Sequence, residues 1–117
     1  MSTTKSAGLT RDAILAAEDL KSKRVEVPEW GGHVFVRQMT AGDRDKFDAF
    51  IFEQSGASIR AWLVGMCAVD GEGKRMFTDD DLDALTGKNG EAMDCVFQAA
   101  RKLNKLLTVD IEDAEKN

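Results

Sequence analysis

Four groups of side chains in this chain could do chemistry: His33, the thiols Cys67 and Cys95, the run Asp79-Asp80-Asp81, and the segment Asp70-Gly71-Glu72-Gly73-Lys74. Nucleophilic catalysis needs a serine or cysteine with a positioned base. His33 is the only histidine. It stands beside the Gly31-Gly32 turn and reads as an exposed hairpin residue with no triad partner. Two cysteines far apart, with no histidine nearby, do not make a metal site. Both lie in apolar, helix-like windows, where free cysteine is usually a small buried hydrophobe. A disulfide is disfavoured without secretory signs. Calcium loops need acids at alternating positions around a glycine bend. Three consecutive aspartates point in different directions on a helix, so they read as a cap. The DGEGK run has too short an acid spacing for an ion loop and lacks the second half of a phosphate-binding loop. The 21 acidic residues make chance carboxylate pairs abundant, and none stands out. The residues therefore assign no catalytic site, no cofactor and no metal.

Aromatic residues off the main apolar stripes are the better candidates for function. Trp30, Phe35 and Phe52 are the candidate partner-binding residues, because small domains that expose aromatics often use them to bind protein. The competing reading is a satellite core under the hairpin. The two readings stand level for Trp30, and the core is preferred for Phe35. Trp62, in the middle of an apolar stripe, reads as core.

The elements that must position these residues follow from pattern. Thr10 is an N-cap with Asp12 in the first turn, and Ile14, Ala17 and Leu20 give a thin apolar face to a helix over 11–20. Such a helix should dock weakly or move. Val25 and Val27 alternate with Glu26, Pro28 marks an edge or an end, and Gly31-Gly32 turns the chain. Val34 and Val36 then resume the alternation, with His33, Phe35 and Arg37 on the other face. Thr40 and Asp43 form a capping box for a helix from 41 to about 54, with Phe47, Phe50 and Ile51 on one face. Ile59, Trp62, Leu63, Met66 and Cys67 make the strongest helical stripe. Asp70 to Gly73 is a turn, Met76-Phe77 a short apolar bridge, and Thr78 caps a helix that Gly87 ends. A last helix over about 91–107 carries Met93, Val96, Phe97, Ala100, Leu103 and Leu107. The expected fold is α+β: a mainly α-helical single domain over 10–107 with a small N-terminal β-hairpin packed on three or four helices. Residues 1–9 read as disordered and 108–117 as a flexible acidic tail.

The chain has 117 residues, 43% of them hydrophobic, enough for one domain with a core. Its 21 acidic and 16 basic residues give a net charge of -5, which argues against nucleic acid as a partner. The densest basic run, 21–24, is short and reads as a solvated helix end. No apolar run is long enough to span a bilayer, and the polar N-terminus is not a signal peptide. A soluble protein made in the cytoplasm is expected.

In order and spacing, four pieces together resemble one family. They are LTRDAILAAEDL (9–20), VEVPEWGGHVFVRQMT (25–40) running into GDRDKF, CAVDGEGKRMFTDDDLDAL (67–85), and VFQAARKLNKL (96–106). The set is similar to the tail assembly chaperones of long-tailed, siphovirus-type phages and prophages, over about Leu9 to Leu107. The resemblance implies a non-enzymatic protein of the host bacterial cytoplasm. It would act while the tail is built and be absent from the finished virion. The implied partners are the tape measure protein, which it holds soluble, and the tail tube protein, whose subunits it helps recruit. The family is commonly made as a short form and a longer form that arises by a programmed ribosomal frameshift. This chain looks like the short form, with the longer form as a further partner and a homo-oligomer as a possible state. Lys116-Asn117 is compatible with a slippery run of adenines. Two other classes stay open: a structural head–tail or tail component of the virion, and a small ligand-binding domain with a deep pocket of perturbed titratable groups.

Overall fold

The computed structural model describes residues 7–54 and 59–106. The element order is α1 (Arg11–Ala16), β1 (Ser22–Val27), β2 (Gly32–Arg37), α2 (Ala41–Gln54), α3 (Ile59–Cys67), β3 (Ala68–Val69), α4 (Leu82–Thr86) and α5 (Gly90–Leu103), with 3-10 turns at Pro28–Trp30 and Asp79–Asp81. This is the expected α+β architecture, mainly helical.

The hairpin forms as the alternation implies. β1 and β2 are antiparallel, with Val25 opposite Val34 and Val27 opposite Gly32. Pro28 ends β1, because proline cannot donate to the ladder, and opens the 3-10 turn. Gly31 closes that turn at φ +75°, a left-handed conformation that costs glycine little. Val25, Val27 and Val36 are buried on the face toward the helices. His33, Phe35 and Arg37 face the other way, so Phe35 is not part of the main core. It is half-buried and packs edge-on to His33, with ring centroids 5.2 Å apart.

Two expectations about the sheet need correction. A third strand exists: β3 pairs Val69 with Phe35 and Ala68 with Val36. Two residues are too short to show an alternation, so only the long-range pairing defines them. The basic run 21–24 lies largely in β1, at the edge of the β1-β2-β3 sheet, rather than at a helix end. Charged side chains on an edge strand discourage further strand addition.

α3 is the central element. Ile59, Ala61, Leu63, Val64, Gly65, Met66 and Cys67 are all buried, more than a one-sided stripe provides. Trp62, expected as core, is half-buried and covers the core from outside, stacked on Phe50 of α2 at 5.2 Å. Gly65 lets α4 come close: a Cβ added there would lie 2.8 Å from Leu82 Cδ2. α5 lies against α3 and the hairpin and buries Ala92, Met93, Val96, Phe97 and Ala100. Arg60 of α3 pairs with Asp94 at 3.2 Å and stands over the Phe97 ring.

The capping residues act as expected. Thr10 Oγ1 accepts from Ala13 N at 3.1 Å, and Thr40 Oγ1 accepts from Asp43 N at 3.0 Å while Asp43 Oδ2 accepts from Thr40 N at 3.4 Å. Helix ends fit less well. α1 stops at Ala16, short of Leu20, and buries no residue. A short helix without tertiary support does not propagate. α5 stops at Leu103 rather than 107. Lys105 adopts φ +55°, the Leu106 N–H reaches back to Arg101 O at 3.0 Å, and the Lys105 N–H bonds Lys102 O at 3.1 Å. This is a Schellman turn with lysine where glycine is usual. It buries Leu106; Leu107 lies outside the described residues. Gly87 does end α4, but at φ -88° and not in the left-handed conformation that usually selects glycine.

Candidate partner-binding site

The segment between β3 and α4 is built by local hydrogen bonds. Asp70 Oδ1 accepts from Glu72 N at 2.8 Å and Lys74 N at 3.0 Å. These two amides, Lys74 first, hold the Asp70 carboxyl below its usual pKa. The chain turns back at Gly73, φ +85°, and the Met76 N–H donates to Ala68 O at 3.1 Å. Arg75 then pins the segment to α3, donating from Nε to Gly65 O at 2.8 Å and pairing with Asp79 at 3.1 Å. Asp81 Oδ2 accepts from Thr78 N at 2.8 Å and so starts the turn into α4. The outcome is that Met76 and Phe77 are presented next to α4.

Trp30, at the hairpin turn, faces this segment. Trp30, Met76, Phe77, Ala84 and Leu85 line a mainly apolar groove of about 520 Å³, with Asp81 and Lys88 as its polar lining. Trp30 is 39% exposed and Met76 50%, unusual values for such large apolar side chains. Such a surface releases ordered water when another apolar surface covers it. A second cleft of about 450 Å³ lies between Leu20, Met39, Thr40, Arg44, Asn104 and Lys105 and is more polar.

Of the three residues singled out from sequence, Trp30 lines the groove. Phe35 stands on the outward face of the sheet and is not among the lining residues. Phe52 falls outside the described side chains. The structure adds Met76, which sequence reasoning had treated only as a bridge. Its signal was an apolar Met-Phe pair caught between a glycine turn and a capped helix.

The titratable groups do not gather in the groove. Cys67 is buried, and that burial pushes its thiol up to about 12, against a smaller opposing pull from the Asn104 amide. Cys95, expected to be buried, is exposed on α5, with Sγ 3.5 Å from Glu26 O. Both are free thiols. Among the described residues, no group of three or more His, Cys, Asp or Glu is placed to hold a metal ion, and no helix is long and apolar enough to cross a membrane. The chemistry the groove itself supports is burial of an apolar partner surface.

A hairpin-led sheet covered by short helices around a central α3 also occurs in a solved structure. The fold is similar to that of the bacteriophage HK97 tail assembly chaperone, with a TM-score of 0.61 and 17% identity, covering 82% of this chain and 94% of that one. No family model and no curated protein matches the chain. At this identity the likeness is one of fold.

Proposed function

We propose that this protein is a tail assembly chaperone of a long-tailed phage or prophage. The observation that carries the reading is the agreement of fold with the HK97 chaperone over 82% of the chain, despite only 17% identity. The ordered sequence resemblance supports it independently. On this reading the protein keeps the tape measure protein soluble in the host cytoplasm, helps recruit tail tube subunits, and is the short partner of a longer frameshifted form. Trp30 contributes to the binding surface, and the net charge of -5 keeps the complex dispersed.

The test is co-expression with the tape measure protein of the same genome, read by solubility and by size-exclusion light scattering. A soluble, co-eluting tape measure protein is expected. A tape measure protein that stays insoluble with both this chain and its longer form overturns the reading. Finding the protein in purified particles would instead make it a virion component. The coding DNA tests the short form: an AAG codon at Lys116 removes that candidate slippery site.

A further inference from the structure

The geometry points to the Trp30–Met76 groove as the seat of an amphipathic helix from another protein, held antiparallel to α4 with its acidic N-terminal end at Lys88 and its basic C-terminal end at Asp81. This rests on the chaperone reading and names the kind of segment the chaperone would hold.

Three observations lead there. First, a groove of about 520 Å³ takes a few apolar side chains, which is what one face of a helix presents at i, i+3 or i+4, and i+7. Second, the lining is charged asymmetrically. Lys88 follows the C-terminal end of α4, whereas Asp81 precedes α4, with Asp79 and Asp80 beside it. The Lys88 ammonium makes no hydrogen bond or ion pair to a described residue. Third, helices favour acids in their first turn and bases in their last. A helix with that bias meets both charges favourably only when it runs antiparallel to α4. In the parallel sense its acids would face Asp79–Asp81 and its bases would face Lys88.

The exposed α1 of a second copy is a poorer occupant. Its large apolar residues Ile14 and Leu15 are adjacent, and the positions one turn further on are Glu18 and Asp19. α1 also ends at Ala16, before the thin face of Ile14, Ala17 and Leu20 can repeat, so it offers little to fill the groove.

The test uses the full chain and two synthetic amphipathic peptides of equal composition, about 12 residues long so that the first and last turns of the bound helix stand about as far apart as Lys88 and Asp81. One carries Glu in the first turn and Lys in the last; the other has these exchanged. Binding is read by fluorescence anisotropy at low salt. The acid-first peptide should bind the tighter. In Lys88→Glu the ratio of the two affinities should fall about ten-fold, a comparison in which the peptides' own helicities cancel. Met76→Asp, at an exposed position that leaves the core intact, should abolish both. An unchanged ratio in Lys88→Glu, or binding that survives Met76→Asp, overturns the inference, as does failure of both peptides to bind.

Co-expression with the tape measure protein separates this from the wider reading. If the wild type solubilises it and Met76→Asp does not, both stand. If both solubilise it, the groove is wrong and the chaperone reading remains. If neither does, and the longer form does not either, both fall. If the chain alone is an assembly that Met76→Asp makes monomeric, a second copy fills the groove and the inference fails.

Discussion

α1 and α5 begin alike and end up in opposite surroundings. Each has a side-chain N-cap: Thr10 accepts from Ala13 N at 3.1 Å, and Asn89 Oδ1 accepts from Ala92 N at 2.9 Å. Each carries an acid in its first turn. Yet α5 runs for 14 residues and buries five side chains, while α1 runs for six and buries none. The cap sets where a helix starts. Whether the helix continues depends on the repeat of large apolar residues and on a surface to receive them. α5 has Met93, Val96, Phe97 and Ala100 at helical spacing and the α3–sheet surface beneath them. α1 has only Ile14 and Leu15, side by side and 55% and 67% exposed.

The sharpest test of that contrast is truncation at α5. Phe97→Ala should cost about 3–5 kcal/mol, the usual loss for emptying a buried aromatic site. The measurement is the urea midpoint at constant slope. A loss below about 1 kcal/mol would mean that α5 is not the packed partner of α3.

The next effect lies at the end of α5. Asn104 Oδ1 accepts from Met39 N at 2.7 Å, and its Nδ2 donates to Ala100 O at 2.9 Å and lies 3.6 Å from Cys67 Sγ. One side chain thus ties α5 to α3 and to the entry of α2. Asn104→Ala leaves a part-buried Met39 N–H without its acceptor, at a cost of about 1–3 kcal/mol. Asn104→Asp keeps that acceptor and should recover part of the loss in the same urea titration.

Cys67 gives a pH signature to the packed half. Its folded thiol is pushed up to about 12 from an ordinary 9.0. Above pH 9 the unfolded chain releases this proton and the folded chain keeps it, so the unfolded state binds fewer protons and stability falls as pH rises. The contribution is complete below about 9 and is lost through the window up to about 12. At pH 10 the loss is about 1.4 kcal/mol. Comparing the urea midpoint at pH 8 and pH 10 for the wild type and Cys67→Ala isolates it. An equal drop in both proteins would assign the pH effect to other groups. Disulfide-exchange labelling should meanwhile modify exposed Cys95 in the native protein and Cys67 only on unfolding.

What the sequence revealed divides along the same line. The hairpin, the three capping threonines, the α3 core and the face of α5 were legible because each is local: a period, a cap or a glycine turn. The third strand was not, because Ala68-Val69 becomes a strand only through its pairing with Phe35 and Val36. The stop of α5 at Leu103 was hidden because lysine occupies the left-handed position. Trp30 could be flagged as an unassigned aromatic, but its neighbour Met76 could not. Their meeting depends on the turn after β3 and on the hairpin's place against α4.

That hidden stop predicts a gain. Lys105 holds φ +55°, where an L-residue with a Cβ is strained and glycine is not. Lys105→Gly should raise stability by about 1 kcal/mol or somewhat less, since glycine also loosens the unfolded chain. The readout is the melting temperature. A decrease would mean that the Lys105 side chain contributes more to the Met39–Arg44 cleft than its strain costs.

The smallest effect should come from α1, and it bears most directly on the contrast. Thr10→Ala removes the Ala13 acceptor, a loss of about 1 kcal/mol to the helix itself. Because α1 buries no residue, unfolding it costs the rest of the molecule nothing. The helical signal in circular dichroism should drop slightly while the urea midpoint stays within about 0.5 kcal/mol of wild type. Leu15→Ala should behave the same way. If either variant shifts the midpoint by a kilocalorie or more, α1 is packed in solution, and the difference between the two helices lies in what covers them rather than in whether they are covered.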